Sequence, residues 1–189
     1  MEYDEDVLYT PRLELHTVLQ EDYQRFMSDT VDGSFWIAKG WTNPFGHFED
    51  SLGAIPFRAP QVEQHPNLAP LLLRYAIESE TKCLIGSIGF HLPPDPWGMV
   101  EIGFTVVEEK RNIGYGKEML HSMWTWISTY DGINTLRYST QPTNEASQHI
   151  IKSLGFKHVG VQMDEIDGEE DIYEMSVEDY LLRHTRFKF

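Results

Sequence analysis

A short loop of glycine and basic residues carries the clearest chemistry in this chain. Arg111, Gly114, Gly116 and Lys117 lie between an alternating apolar segment and a segment whose apolar residues recur with a helical period. Backbone N–H groups at a helix N-terminus lack acceptors within the helix, and the helix dipole makes that end positive. Glycines let a ligand approach the backbone closely. The loop therefore predicts a site for an anion such as a phosphate.

Two common phosphate-binding patterns do not fit this loop. The P-loop requires a glycine five residues before Gly116 and a Ser or Thr after Lys117, where the chain has Arg111 and Glu118. The dinucleotide pattern requires three glycines, and the loop supplies two of them. An ordinary tight turn from a strand to a helix is the alternative interpretation.

The composition is typical of a soluble globular protein. The 189 residues are 41% hydrophobic and 24% charged, which predicts one domain, 1–189, with a core over 9–180. The single cysteine, Cys83, excludes an internal disulfide and a CxxC metal site, so we expect no metal and a cytoplasmic location. The acidic N-terminus and the lack of a long apolar run predict neither a secretory signal nor a membrane span.

The net charge of −15 bears on possible partners. An acidic surface repels nucleic acid and anionic membranes, and it attracts cationic small molecules or basic peptides. We therefore expect no direct nucleic-acid partner and no membrane partner. The alternative is that the charge serves solubility alone.

Apolar alternation and apolar runs predict seven strands and three main helices. The strands are expected at 9–19, 71–78, 83–92, 100–107, 135–140, 156–165 and 170–177. The helices are expected to start near Glu21, over 114–130 and after Asn144. The segment 30–70 has six aromatic residues among many prolines and glycines, and no clear period. Such a segment is typical of a functional lid or of a poorly ordered loop.

A second motif lies downstream of the glycine loop. Asn144, Ser147 and Gly155-Phe156 fall on and just after a predicted helix. With Arg111-x-x-Gly114-x-Gly116, this order and spacing resemble the GNAT superfamily of N-acetyltransferases, whose signature follows a strand and opens a helix. The opening Thr10-Pro11-Arg12-Leu13 resembles the branch of ribosomal-protein N-terminal (alanine/serine) acetyltransferases. Glu108 and Asn112 depart from that branch, which often has Pro and Gly there.

The resemblance implies a fold and a cofactor. The fold is α/β (α+β), with a central mixed, mostly antiparallel sheet of about seven strands, splayed between the fourth and fifth, and helices on both faces. The implied acyl donor is acetyl-CoA, bound as a co-substrate. Val106 is expected to contact the oxyanion through its backbone N–H. The implied cofactor-binding residues are Thr105, Val106, Val107, Arg111, Asn112, Ile113, Gly114, Tyr115, Gly116, Lys117 and Asn144.

The resemblance also implies direct attack of a primary amine on the acetyl thioester, with both substrates bound together. Glu101, on the central strand, is the expected base, and His91 is its competitor because an ordinary histidine titrates near neutrality. Many members carry, seven residues after the motif Asn, a Tyr that serves as the acid for the leaving thiolate. That position is Ile151 here. Ser147 is the expected substitute. The alternatives are an exposed structural Glu101, a Ser147 bonded to a backbone carbonyl, and protonation of the thiolate by water.

The acceptor is expected to be a small amine or a basic peptide or protein N-terminus. Trp36, Trp41 and Phe45 are candidate pocket walls, and the alternative places them in a satellite core. Asp164, with Glu165 and Asp167, forms an acidic tip on a predicted hairpin that borders the acceptor site in the family. Relatives often dimerise, so a homodimer is a candidate assembly.

Two other function classes stay open at this point. A catalytically weak acyl-CoA-binding protein could serve as a sensor or interaction module, since the acidic Tyr is missing. A phosphate binder unrelated to CoA would use the same loop. Turnover separates the first class from an enzyme, and stabilisation by nucleotide but not by CoA would indicate the second.

Overall fold

The computed structural model describes residues 3, 6–28, 31–49, 51–164 and 168–184. Its strands are β1 (Val7–Tyr9), β2 (Leu13–Thr17), β3 (Arg74–Glu78), β4 (Cys83–Phe90), β5 (Met99–Val106), β6 (Thr135–Thr140), β7 (Lys157–Asp164) and β8 (Gly168–Ser176). Its helices are α1 (Gln20–Ser28), α2 (Gly33–Ala38), α3 (Ile55–Gln64), α4 (Ala69–Leu72), α5 (Tyr115–Ile127), α6 (Glu145–Ser153) and α7 (Val177–His184).

The strands within these described residues form one eight-stranded sheet in the order β1-β2-β3-β4-β5-β6-β8-β7. The pairs β1–β2, β2–β3, β3–β4, β6–β8 and β7–β8 are antiparallel, and β5–β6 is parallel. The predicted mixed, mostly antiparallel sheet with helices on both faces is confirmed. The count of about seven strands was one short, because 9–19 was predicted as one strand and β1 was not predicted.

The pairing of β5 with β6 is short. Met99–Glu101 pair with Thr135–Arg137, and the described residues of β5 beyond Glu101 have no partner in β6. The splay was predicted between the fourth and fifth predicted strands, 100–107 and 135–140, which are β5 and β6 of the structure. The end of their parallel pairing after three residue pairs agrees with that prediction. The later part of β5 consequently has one edge that no strand of β6 covers.

The chain divides into two compact units. The first comprises Met1–Phe90 and Phe104–Met123, and its core packs the helices α1 to α3 on β3. Trp36 meets Tyr75 edge to face with ring centroids 5.7 Å apart, and Phe26 meets Phe48 at 5.5 Å. Such edge-to-face pairs add to the stabilisation from apolar burial. This core places aromatic residues of segment 30–70 inside the unit.

The second unit comprises His91–Gly103 and Trp124–Phe189. Trp124 stacks on Phe156 with ring centroids 4.4 Å apart, and the hydroxyl of Tyr180 in α7 lies 3.1 Å from that of Thr125. Ile151 of α6 is fully buried. The prediction of one domain over 1–189 stays a prediction. None of the described helices has the length and apolar run that crossing a bilayer requires.

The structure differs from the sequence predictions in three places. The strand predicted over 71–78 begins at Arg74, because Leu71 and Leu72 belong to α4, and a short apolar run fits a strand and a buried helix equally well. Segment 30–70, in which the sequence showed no clear period, contains α2 and α3. Helix α7 was not predicted at all.

Candidate active site

The loop before α5 has a backbone that suits an anion site. Arg111 is extended, with φ −77° and ψ 166°, whereas Asn112 and Gly114 have positive φ of 62° and 93°. Asn tolerates this left-handed conformation better than most residues, and Gly adopts it without strain. The conformation accounts for Asn at a position where the resembling branch often has Gly.

The start of α5 is open. Gly114 precedes the helix and has no side chain to cap it. Within the described part of the chain, no hydrogen bond is formed by the backbone N–H groups of Asn112, Ile113, Gly114 and Gly116. Asn112, Ile113 and Gly114 are exposed and Gly116 is buried, so the first three of these donors lie at the surface, at the positive end of the helix dipole. The predicted anion site has the donors that it needs.

Arg12 holds this loop from the side. Its Nε donates to Glu118 Oε2 at 2.7 Å, and its Nη1 donates to the carbonyl of Ile113 at 2.9 Å. The guanidinium also lies over the Tyr115 ring, 4.3 Å from the centroid. Fork geometry and stacking of this kind are particular to arginine. The sequence used Arg12 only as a mark of the branch and did not predict its contact with the loop.

Glu78, on β3, holds both ends of the loop. Its carboxylate accepts hydrogen bonds from Thr81 Oγ1 at 2.5 Å, from Tyr115 Oη at 2.5 Å and from Lys110 Nζ at 2.9 Å. These bonds, that of Thr81 first, lower the pKa of Glu78 to about 2. Burial first, and then the bond to Glu78, raise the pKa of Tyr115 to about 12. Nothing in the sequence pattern indicated this cluster.

The end of β5 has one edge that no described residue of β6 pairs with. The N–H of Val107 donates to Ile85 of β4 at 2.9 Å, and the carbonyl of Glu101 accepts from the N–H of His91 at 2.8 Å. Alternate residues of a strand direct their backbone groups to the same side, so Val106 directs its N–H away from β4. Arg111 Nε donates to the carbonyl of Val106 at 2.9 Å. This geometry suits the expected oxyanion contact of Val106 without testing it.

The two candidate bases are neighbours. His91 Nδ1 lies 3.8 Å from Glu101 Oε1, with the Glu101 side chain 16% exposed and that of His91 46% exposed. Gly103 makes room for this ring, since a Cβ on Gly103 would lie 2.7 Å from His91 Nε2. The sequence treated Glu101 and His91 as competitors, whereas the structure makes them a pair.

Helix α6 brings Asn144 and Ser147 together. The Asn144 side chain caps the helix by accepting from the Ser147 N–H at 3.1 Å. The Ser147 hydroxyl accepts from Tyr138 Oη of β6 at 3.2 Å. Burial raises the pKa of Tyr138, so its phenol keeps its proton near neutral pH. Tyr138 was not among the predicted site residues, because only the fold brings it to Ser147.

The expected acceptor residues lie in different surroundings. Trp36 and Trp41 are 1% and 9% exposed and belong to the core cluster of the first unit, as the satellite-core alternative expects. Trp36 Nε1 also donates to Glu49 at 2.8 Å. Phe45 is half-buried, and Asp164 ends β7 opposite Gly168. Glu165 and Asp167 lie outside the described residues. The acceptor roles stay predictions, and the burial of the two tryptophans does not support theirs.

A metal centre has no support within the described ranges, since they contain no group of three or more His, Cys, Asp or Glu side chains placed to bind an ion. This finding covers protein ligands in those ranges alone. Three candidate groups for chemistry lie among the described residues, which are the open loop, the Glu101–His91 pair and the Tyr138–Ser147 pair.

The family pattern described as acetyltransferase (GNAT) domain matches residues 12–157. The chain belongs to the GNAT acetyltransferases. The predicted family is thereby confirmed. The match includes the open loop, Glu101 and His91, and the start of α6. GNAT enzymes use acetyl-CoA as a co-substrate.

Two Bacillus subtilis proteins resemble parts of this GNAT chain. The one named uncharacterized N-acetyltransferase YoaA is 30% identical over 90 residues, which are 47% of this chain and 51% of that protein. The one named uncharacterized N-acetyltransferase YjdG is 30% identical over 73 residues, which are 39% of this chain and 44% of that protein. The chain thus spans about half the length of the curated relatives that it matches.

Solved GNAT structures resemble the whole fold. A GNAT-family acetyltransferase from Bacillus anthracis is 18% identical with a TM-score of 0.59, covering 91% of this chain and 99% of the other. The ribosomal-protein-S5-alanine acetyltransferase from Vibrio fischeri is 13% identical with a TM-score of 0.62, covering 93% and 99%. Spermidine/spermine N-acetyltransferase SpeG from Vibrio cholerae is 16% identical with a TM-score of 0.61, covering 92% and 99%. At these identities the likeness establishes the fold alone.

The residues of this GNAT chain fit a CoA pyrophosphate. A pyrophosphate needs several N–H donors on one exposed turn and a backbone without a Cβ in its way. The loop provides unbonded donors at Asn112, Ile113, Gly114 and Gly116. A Cβ on Gly114 would add bulk to that turn and lie 3.4 Å from Arg12 Nη2.

Proposed function

We propose that this protein is an acetyl-CoA-dependent N-acetyltransferase that transfers an acetyl group to a primary amine by direct attack in a ternary complex. The observation that carries the proposal is the open start of α5, where four N–H groups between Arg111 and Lys117 have no acceptor among the described residues. Membership of the GNAT family supports acetyl-CoA as the molecule bound there. The expected stoichiometry is one acetyl-CoA per chain.

Two of the predicted backbone contacts with the pantetheine are not supported by the strand geometry. The Val107 N–H is bonded to Ile85, and the same alternation directs the backbone groups of Thr105 toward β4. Asn144 would contact the cofactor while it caps α6. Val106 would give its N–H to the oxyanion, because strand alternation directs that group away from β4. Each assignment is a proposal that rests on the family resemblance.

The Glu101–His91 pair would supply the base. An unperturbed lysine amine is neutral in about one molecule in 10³ near pH 7, whereas an α-amino group is neutral in roughly a tenth. A base therefore matters more for a lysine-like acceptor than for an N-terminus. We assign the proton from the amine to Glu101, directly or through water, with His91 beside it at 3.8 Å. Ser147 would give a proton to the departing thiolate.

The acceptor is proposed to be a small amine or the N-terminus of a basic peptide or protein. Its attraction to the protein is supported by the net charge of −15. Two structures of similar fold are named spermidine/spermine N-acetyltransferase and ribosomal-protein-S5-alanine acetyltransferase. Asp164 and Phe45 remain candidate contacts of this acceptor. A cytoplasmic location is proposed from the single Cys83, and a homodimer is proposed from the family resemblance.

A catalytically weak acyl-CoA-binding module is the second candidate. It is favoured by one observation, which is that Ile151 occupies the position of the expected acidic Tyr and is fully buried. Such a protein would bind acetyl-CoA and would not release CoA when amines are added.

The test is a CoA-release assay at fixed acetyl-CoA with spermidine, free lysine and peptides that begin with Ala or Ser. We expect saturable turnover on at least one acceptor class. We expect Glu101→Gln to lower kcat by about 10²-fold or more and to remove the acidic limb of the pH–rate profile, since general bases contribute on that scale. Glu109→Gln, at an exposed position outside the candidate site, is the matched control. Acetyl-CoA binding without turnover on any amine would favour the binding module.

A further inference from the structure

Tyr138 and Ser147 form a hydrogen bond that the family resemblance does not assign. Tyr138 lies on β6 and is 5% exposed, and its hydroxyl donates to Ser147 Oγ over 3.2 Å. Ser147 is held from the other side, because its backbone N–H donates to the Asn144 cap at 3.1 Å. The hydroxyl and the backbone N–H of Ser147 are thereby both held by hydrogen bonds at the first turn of α6.

This contact bears on the direction in which the serine proton points. A serine hydroxyl has one donor and two acceptor sites, and its hydrogen rotates to suit its partners. A phenol that donates to Oγ occupies one acceptor site and leaves the serine hydrogen to a different partner. Burial raises the pKa of Tyr138, which keeps the phenol in its donating form. A fixed donor needs no reorganisation when charge develops in front of it.

We propose that Tyr138 is a positioning residue that orients the Ser147 hydroxyl as a donor to the sulfur of CoA. This inference rests on the proposed function and states how the hydroxyl of one residue of that site is oriented. It also compensates for Ile151, since a tyrosine from a neighbouring strand acts through a serine on the helix. The contact is a property of the fold and is not visible in the motif spacing.

The step balances as follows. The amine nitrogen forms a bond to the acetyl carbon and loses one proton to the base. The bond from that carbon to sulfur breaks, and its electron pair stays on sulfur. The sulfur takes one proton from the Ser147 hydroxyl, which recovers a proton from water. Tyr138 keeps its own proton throughout and contributes by orientation.

The chain provides a matched control beneath the same helix. Tyr173 of β8 lies directly opposite Tyr138 of the neighbouring strand β6, and it is 2% exposed. Among the described residues its hydroxyl makes no hydrogen bond with Ser147 or with any other side chain, although Lys152 of α6 lies 5.7 Å from its ring centroid. Removing the hydroxyl of Tyr173 therefore repeats the chemical change of Tyr138→Phe without loss of the bond to the serine.

The first experiment measures Kd for CoA and for desulfo-CoA by calorimetry at pH 8. The wild type and Tyr173→Phe should bind CoA about fivefold more tightly than desulfo-CoA, because the thiol is mostly neutral at this pH and a hydrogen bond to a neutral group is worth roughly that factor. Tyr138→Phe and Ser147→Ala should reduce this ratio to about twofold or less. Unfolding curves of all variants are measured as well, to check that each variant keeps its folded state.

The second experiment is a double-mutant cycle on kcat. Tyr138→Phe should lower kcat by about tenfold with little change of either KM, and it should have no further effect in the Ser147→Ala background. Ser147→Thr, which keeps a hydroxyl, should retain sensitivity to Tyr138→Phe. A purely structural tyrosine would give additive effects.

The outcomes separate the inference from the proposed function. If the wild type binds neither CoA nor desulfo-CoA, the proposed function fails and takes the inference with it. If the wild type binds both and turns over, but Tyr138→Phe behaves like Tyr173→Phe, the inference alone is wrong. Additive effects of Tyr138→Phe and Ser147→Ala would also overturn it.

Discussion

Helices α5 and α6 each follow a strand and a turn, yet their N-termini are built in opposite ways. The start of α6 is closed by Asn144, whose side chain accepts the Ser147 N–H at 3.1 Å. The start of α5 follows Gly114, which has no side chain, and four N–H groups of its loop have no acceptor in the described residues. One helix satisfies its first turn internally, and the other leaves its donors to solvent or to a ligand.

The comparison shows how a helix N-terminus without a side-chain cap is held in place. A capped end is stabilised by its own side chain, which contributes about 1 kcal/mol. The open end of α5 depends instead on residues distant in sequence. Arg12 bonds to the Ile113 carbonyl and to Glu118, and Glu78 bonds to Lys110 and Tyr115. Tertiary contacts fix the loop and leave its N–H groups available.

The largest expected effect comes from closing the open end. Gly114→Asp places a carboxylate and a Cβ among the donors, at a position where φ is 93°. We expect its Kd for acetyl-CoA to rise more than 100-fold, measured by calorimetry, because like charges and a blocked approach both oppose the phosphates. Gly132→Asp is the control, since Gly132 has φ 85° and open space around its Cβ. Equal losses in both variants would point to strain instead.

The support beneath the loop predicts a pH dependence. Glu78 has a pKa of about 2 in the folded protein, against about 4.5 ordinarily. Its stabilising effect is full above pH 4.5 and is lost as pH falls from there toward 2, because the unfolded chain then binds the proton first. We expect Glu78→Gln to lower the free energy of unfolding by about 2–3 kcal/mol at pH 7 and by much less at pH 3.

Urea unfolding at the two pH values measures this difference. Glu109→Gln, in the same short turn as Lys110 and exposed, serves as the control for removal of one carboxylate. A destabilisation by Glu78→Gln that is the same at pH 3 and pH 7 would contradict the assignment of the low pKa to this cluster.

The capped end should give a smaller effect that its own chemistry can restore. Asn144→Ala should lower the free energy of unfolding by about 1 kcal/mol, and Asn144→Ser should recover it, because serine is also a good cap. Thermal or urea unfolding checks this order. A loss of acetyl-CoA affinity that persists in Asn144→Ser would show that the amide contacts the cofactor as well. Unchanged stability in Asn144→Ala would mean that the cap is not needed.

The sequence predicted the parts of the fold whose signals are local. The strand, glycine loop and helix around Arg111 are observed, as is α6 after Asn144. Strand β1 was missed because three residues are too few to show a period. Helix α3 was missed because it contains Pro60, which normally ends a helix. The Leu71–Leu73 run was assigned to a strand since periodicity cannot separate a short buried helix from a strand.

The site was predictable where a motif carries it and not where the fold assembles it. The glycines and Asn144 stand at fixed spacings along the chain. Glu78 and Tyr138 reach the loop and Ser147 by pairing between strands and helices, so no spacing marks them. The aromatic residues of segment 30–70 show the opposite case. Their composition left a pocket and a satellite core as alternatives, and Trp36 lies in the core.

We expect the open N–H groups before and within the first turn of α5 to bind the pyrophosphate of acetyl-CoA. Amide chemical shifts of ¹⁵N-labelled protein during a titration with acetyl-CoA test it directly. We expect saturable shifts at Asn112, Gly114 and Gly116, with the amide of Gly132 unmoved. Saturable binding that leaves the amides of Gly114 and Gly116 unshifted would contradict it.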